Sequence, residues 1–266
     1  MNSFRPQRTS LALIFAIAFA FVACDSAGPS SSDTDVQVGF STTSPSAQSS
    51  SLTTSTLGGG AADESLVLSG SNGTLQIDDM RLIVDEVELE SEADSAEFES
   101  EKPSFLDLPL DTTEVASVVS GQVPPGLYNE LEFEVEDAEL DDGDDDDGIQ
   151  ALRDDIDAAG FNNWPNNASM VVVGEFTPEG DTARSFTTYF EAEIEVEVEM
   201  EDRSFEVGTD DPSRRLTIRL DPAQWFRTDG TVKDLSQNDY DQPSDVVEFE
   251  AEYEFESGIS EIEFDD

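Results

Sequence analysis

The sequence predicts an all-β chain: an antiparallel β-sandwich with one or two short helices, placed after a signal peptide and a disordered linker. Three observations lead there. Residues 190–201 read Phe-Glu-Ala-Glu-Ile-Glu-Val-Glu-Val-Glu-Met-Glu. A strand would turn every apolar side chain of that stretch to one face and every carboxylate to the other. A helix would scatter them around its circumference, so the period outweighs the helix propensity of Glu, Ala and Met. The same alternation returns in residues 127–137 and 246–256. Finally, strand-like runs follow one another across short turns rich in Gly, Pro, Asn and Asp, and such a series closes most simply as a sandwich, Ig-like or transthyretin-like.

The elements follow in chain order. Arg5 and Arg8 precede an apolar run, residues 11–22 (LALIFAIAFAFV), which ends at Ala23 and Cys24. A positive n-region, an apolar h-region and a small-residue end make residues 1–23 a signal peptide. The run of 12 residues is too short to span a bilayer core of about 30 Å. A lone cysteine directly after such a run, in Phe21-Val22-Ala23-Cys24, resembles the lipobox of bacterial lipoproteins. That resemblance implies acylation of Cys24 as the mature N-terminus, and with it a membrane tether. Residues 24–63 are rich in Ser, Thr, Gly, Ala and Pro, end in Leu57-Gly58-Gly59-Gly60, and show no periodicity. They are expected to be a flexible tether, leaving residues 64–266 as one β domain.

Within that domain, residues 64–69 and 74–78 read as a hairpin across Ser71-Asn72-Gly73. Residues 80–90 continue as a strand whose phase slips near Asp85-Glu86, the mark of a bulge. Phe98 and residues 105–108 follow an acidic turn. Asp111 and Thr112 cap a run with Val115, Val118 and Val119 at helical spacing, which predicts a short helix over 112–119. Pro124-Pro125-Gly126 is a turn before the strand of Leu131, Phe133 and Val135. Residues 149–159 read as a helix stopped by Gly160, and residues 161–168 as an Asn-rich loop around Trp164-Pro165. Residues 170–176 are an apolar strand, and 185–201 one long strand. Residues 214–220 are its expected neighbour, 222–226 a helical turn, and 246–256 with 259–264 a hairpin across Ser257-Gly258.

Several of these pieces together resemble an uncharacterised family of bacterial lipoproteins, a domain of unknown function with a β-sandwich-like core. They are Gly73-Thr74-Leu75, residues 83–89, Leu106-Asp107-Leu108, Pro125-Gly126-Leu127-Tyr128 with the strand after it, and residues 216–220 leading into Trp225-Phe226 and Asp229-Gly230. The resemblance covers most of residues 70–235. It implies a sandwich and no activity.

Composition excludes more than the motifs assign. The chain has 62 acidic and 12 basic residues, no histidine, and one cysteine. Without histidine or a second cysteine there is no Ser-His or Cys-His nucleophile, no His/Cys zinc or copper site, and no internal disulfide. Taking Arg5 and Arg8 away with the signal leaves 10 basic residues against 62 acids, about −52, which argues against nucleic acid as a partner. The acids are interleaved with apolar positions, so an acidic folded surface accounts for them better than disorder. Same-face glutamates on a strand lie roughly 6.6 Å apart and repel by about 0.6 kcal/mol in water. At about 1 M salt the screening length is about 3 Å and that repulsion nearly vanishes. Lys102 and Lys233 are the only lysines, and this composition resembles that of halophilic proteins.

Three places invite a site, each with a plainer reading. Residues 141–148 (DDGDDDDG) offer hard oxygens for Ca²⁺. The EF-hand frame fails, because Gly148 at the turn position puts Gly143 at the first ligand position. Asp142, Asp144 and Asp146 remain as an irregular calcium set, and a solvated loop is the simpler reading. Arg214, Arg215 and Arg219 make an anion patch or, more economically, set Arg215 and Arg219 across from the glutamate ladder of residues 190–201. Trp164, flanked by Asn163 and Asn166, is the best ligand-loop candidate, an aromatic platform with amides for a sugar ring. The plainer reading packs it onto one end of the sandwich. No Gly-x-Ser-x-Gly, Ser-x-x-Lys, phosphate loop or Gly-x-Gly-x-x-Gly is present, and near pairs of acids are too common here to select a hydrolase.

The expectation is therefore a non-enzymatic lipoprotein of a halophilic bacterium with no catalytic or metal residues and no cofactor, in a binding or structural role. It would be anchored in the cell envelope through Cys24, at the outer membrane or cell surface rather than the inner membrane, with a glycan or an envelope protein as partner. A carbohydrate- or Ca²⁺-binding surface module is the alternative, and a glycan hydrolase the third reading.

Overall fold

The computed structural model describes residues 33–43, 65–91, 97–137, 147–200, 204–209, 213–242, 245–249 and 255–265. It is all-β and sandwich-like, with three multi-stranded sheets turning their apolar faces onto one core. Cys24 and the loop 141–146 lie outside the described residues, as does the side chain of Asp147.

The first sheet has the order β18-β14-β1-β7, built from β1 (Thr34–Thr42), β7 (Ala116–Val123), β14 (Arg214–Leu220) and β18 (Ile259–Asp265). Two expectations fail in it. Residues 34–42, assigned to the flexible tether, form an inner strand, parallel to β14 and antiparallel to β7. Val36, Val38 and Phe40 alternate there and are fully buried, which their Ser/Thr-rich surroundings hid. The helix expected over 112–119 is also absent. Asp111 does cap, with Oδ1 accepting from the Thr113 N–H (2.8 Å) and hydroxyl (2.9 Å), but it caps a turn. The β-branched residues after it pair with β1, where their stiff side chains fit a pleated surface better than a helix.

The second sheet has the order β17-β11-β10-β3-β2, with β6 also on β3. It comprises β2 (Leu66–Gly70), β3 (Gly73–Val84), β6 (Ser104–Asp107), β10 (Met170–Pro178), β11 (Arg184–Glu191) and β17 (Val247–Glu248). β2 and β3 form the predicted hairpin across Ser71-Asn72. The third sheet has the order β12-β9-β4-β5, from β4 (Val87–Glu90), β5 (Glu97–Ser100), β9 (Glu130–Val135) and β12 (Ile194–Glu199). Two-stranded pairs β8 (Gly126–Tyr128) with β13 (Phe205–Val207) and β15 (Arg227–Thr228) with β16 (Thr231–Val232) complete the set.

Two chain segments cross from the second sheet to the third; the first crossing shows in the pattern, and the second divides the run 185–201, expected as one long strand, into two. The phase slip at Asp85-Glu86 is where β3 ends and β4 begins. The long run keeps its alternation, yet the strand ends at Ala192-Glu193, between β11 and β12. There the buried Ser169 hydroxyl accepts from the Ala192 N–H (2.7 Å) and donates to the Ala192 carbonyl (3.0 Å). One side chain thus satisfies the backbone groups that leave one ladder before the next starts. Strands that bend from sheet to sheet make the corners of a sandwich.

The other two predicted helices are present. α1 (Asp147–Ala158) is followed by Gly160 at φ 97°, a left-handed stop that glycine adopts without strain. α2 (Pro222–Phe226) starts at Asp221, whose carboxylate accepts from the Ala223 N–H (3.1 Å). Its Trp225 is buried, stacks on Phe255 with centroids 4.8 Å apart, and donates its indole N–H to the Phe255 carbonyl (2.9 Å). A Cβ on Gly258 would enter the Trp225 ring. Among the described residues the hairpin expected across Ser257-Gly258 is not seen: β17 pairs parallel with β11 and β18 antiparallel with β14. The core is rich in rings that join layers, such as Phe40 of the first sheet edge-on to Phe133 of the third at 5.1 Å.

Candidate functional site

The third sheet carries the most unusual chemistry. In β9, Leu131, Phe133 and Val135 are buried, as are Val87 and Leu89 in β4 and Ile194 and Val196 in β12. Period two then sends every glutamate of these strands to the other face. In register, Glu195, Glu197 and Glu199 lie opposite Glu134, Glu132 and Glu130. Glu132 and Glu130 lie opposite Glu88 and Glu90, which in turn face Glu99 and Glu97. Ten glutamates share one sheet face, each across from another.

This corrects the expected placement of the arginine strand. β14 lies in the first sheet: Arg219 bonds Glu263 of β18 (2.6 Å) and Arg215 bonds Gln37 of β1 (3.0 Å). Charge complementarity between β14 and β12 was the weaker force. Like charges directly opposite cost up to about 1 kcal/mol per pair, whereas burying one Val, Leu, Ile or Phe contributes about 1.5–3 kcal/mol. Apolar registry therefore decides the pairing, and the glutamates follow.

Several carboxyls on and beside this face are pushed above their ordinary range. Burial chiefly, then a hydrogen bond with Glu90 and the charges of Glu90, Glu132 and Glu97, push Glu88 up to about 7. Burial is also the first cause of the upward shifts at Glu86, Glu130, Glu132 and Glu134, with neighbouring glutamates adding to each. Glu130 shares a hydrogen bond with Glu197, and Glu132 with Glu195, diagonal contacts across the β9–β12 ladder. One carboxylate oxygen from each of Glu132, Glu134 and Glu195 falls within 4.8 Å of the others, and Asp85, Glu134 and Glu136 form a second such group. Chemically the face can store protons or collect hard cations. The signal was present in sequence as alternation in 87–90 and 130–135, but which strands adjoin depends on tertiary packing.

Trp164 sits elsewhere. Its ring meets Phe105, Phe161 and Tyr189 edge-to-face at 5.3, 6.0 and 5.2 Å, and its indole N–H donates to the Ala168 carbonyl (2.6 Å). It packs against the small cluster of Ile83, Leu152 and Ile156 under α1. Asn163 and Asn166 are exposed beside it, while Asn167 bonds Glu191 (2.7 Å). Burial raises the Tyr189 hydroxyl to about 12, so that ring is neutral at any ordinary pH. Among the described residues no helix is long and apolar enough to cross a membrane.

No protein-family model matches the chain, and no curated protein matches it. Among solved structures it is similar to MbnP from Methylosinus trichosporium, at 13% identity and a TM-score of 0.34, covering 70% of this chain and 75% of that one.

Proposed function

We propose that the chain is a lipid-anchored lipoprotein of the cell envelope of a halophilic bacterium, non-enzymatic and serving in binding or structure. The observation that supports this best is the glutamate face of the third sheet. Ten like charges in mutual register repel least where ions screen them over a few ångströms, as at about 1 M salt, or where protons and cations occupy them. The N-terminal segment supports the anchor: a short apolar run ending at Cys24 fits acylation, which would hold the domain at the outer membrane or cell surface. Two measurements test the reading. Mass spectrometry of the chain from membranes should find acyl chains on Cys24, and Cys24→Ala should release the protein. Melting should rise with NaCl between about 0.1 and 2 M; a flat response removes the salt adaptation, and a bare Cys24 removes the anchor.

A second reading, a surface module that binds Ca²⁺ or carbohydrate, is favoured by the convergence of Glu132, Glu134 and Glu195. Calorimetric titration with CaCl₂ in high salt tests it. Saturable heat lost in Glu132→Gln/Glu195→Gln would support it, and heat indistinguishable from dilution would remove it. Glycan binding that survives Asn163→Ala/Asn166→Ala would count against the sugar version.

A further inference from the structure

The tip of the β2–β3 hairpin is tied to a distant part of the chain by one side chain. Asn72 Nδ2 donates to the Val232 carbonyl (2.7 Å), and Asn72 Oδ1 accepts from the Val232 N–H (2.9 Å). The amide thus pairs with β16 as a peptide group of a neighbouring strand would. Backbone bonds hold the rest of the tip. The Ser71 N–H donates to the Gly230 carbonyl (2.9 Å), and the Glu179 N–H donates to the Asn72 carbonyl (3.0 Å). Gly73 passes so close to β10 that a Cβ on it would run into the Thr177 carbonyl oxygen. The fold therefore requires a side chain at 72 that donates and accepts at once, and glycine at 73.

That pair is chemically perishable. The Gly73 nitrogen, with no side chain beside it, can attack the Asn72 Cγ. A bond forms between the Gly73 nitrogen and Cγ, the Cγ–Nδ2 bond breaks, and ammonia leaves with the proton of the Gly73 N–H. Water then opens the cyclic imide at either carbonyl and leaves aspartate or isoaspartate at 72; nothing is oxidised or reduced. In the structure both reacting groups are held. Val232 fixes the amide that would be attacked, and the bond from Glu179 fixes the peptide plane that carries the Gly73 nitrogen. Asn72 itself is exposed, so water reaches it. The hold on its side chain is only a two-residue strand, Thr231–Val232, paired with one neighbour, and short edge elements open more readily than core strands.

We propose that Asn72 is a deamidation site gated by β16: the β15–β16 hairpin must lift before the imide can close, and the acid formed hinders its return. A carboxylate at 72 has two acceptor oxygens and no donor, so it would set acceptor against acceptor at the Val232 carbonyl. Isoaspartate would add a backbone carbon at the turn that fixes the β2–β3 register. Val232 is buried and lies against Gly70 of β2, so losing its partner loosens a core position.

The test follows residue 72 of the full chain by peptide mapping and mass spectrometry, in mildly alkaline buffer with about 1 M NaCl. Conversion of amide to acid should be at least about tenfold slower in the folded chain than in denaturant. Gly230→Ala strains a turn residue at φ 79° with nothing within 4 Å of the added Cβ. It should speed the folded-state reaction several-fold and leave the denatured rate unchanged; urea below the unfolding midpoint gives the same reading without a substitution. Asn72→Asp, made directly, should speed hydrogen exchange of the Val232 amide by at least about tenfold and lower the melting temperature by several degrees. Equal rates in folded and denatured chain would show that β16 gates nothing. No conversion in denaturant would remove the site, and unchanged Val232 exchange in Asn72→Asp would remove its consequence; each of the three overturns the proposal.

Discussion

In the sheet of β18, β14, β1 and β7, arginine meets acid or amide: Arg219 bonds Glu263 and Arg215 bonds Gln37. In the sheet of β12, β9, β4 and β5, glutamate meets glutamate through three successive strand pairs. Both sheets turn buried apolar faces onto the same core, so their interiors are alike and their exteriors opposite. The contrast teaches that outward charge is subordinate to inward packing. The third sheet stays paired because residues such as Phe133 and Val196 contribute more than its carboxylates repel. What the repulsion does govern is how the sheet responds to protons and salt.

The largest effect should come from removing the ring that joins the two sheets. Phe133→Ala deletes a fully buried side chain edge-on to Phe40 and Phe255, and should destabilise by about 3–5 kcal/mol in denaturant unfolding. A loss below about 1 kcal/mol would mean the sheets do not depend on each other. Next, Glu132→Lys places a cation between Glu88 and Glu197 and should stabilise at low salt by about 1–2 kcal/mol. That gain should shrink towards zero at about 2 M NaCl; persistence in salt would show that charge was not the cause.

Proton uptake gives a smaller signal of known sign. Glu88 is held near 7 in the folded chain against an ordinary 4.5, so between those values the folded state binds more protons than the unfolded one. Stability should therefore fall as pH rises from about 4.5 to about 7, opposite to the usual behaviour of ion-paired carboxylates. Glu88→Gln should flatten that slope, and an unchanged slope would assign it elsewhere. The smallest change belongs to the other sheet. Arg219→Ala removes a half-exposed ion pair and should cost about 1 kcal/mol or less at low salt, leaving the pH slope untouched.

Much of this fold was legible because burial writes itself into sequence as a period. Residues 130–135 and 194–199 alternate and are strands; α1 with its Gly160 stop and the helical turn of α2 were equally plain. β1 was missed because only Val36, Val38 and Phe40 signal it, amid serines and threonines that read as linker. β7 was misread because Val115, Val118 and Val119 satisfy a helical spacing that pairing with β1 overrides. The glutamate face was half legible. Its carboxylates were visible strand by strand, but their neighbours were assigned from complementarity, a force of tenths of a kcal/mol, when burial was choosing. Asn72-Gly73 was legible as a turn but not as a hook, since its partner Val232 lies 160 residues on.

The place of β1 inside a sheet limits the length of chain left for a tether. If Cys24 is the acylated end, ten peptide steps separate it from Thr34, the first residue of that strand, a leash of at most about 35 Å even when pulled straight. Splicing a flexible segment between Cys24 and Asp33 would lengthen that radius without disturbing the strand.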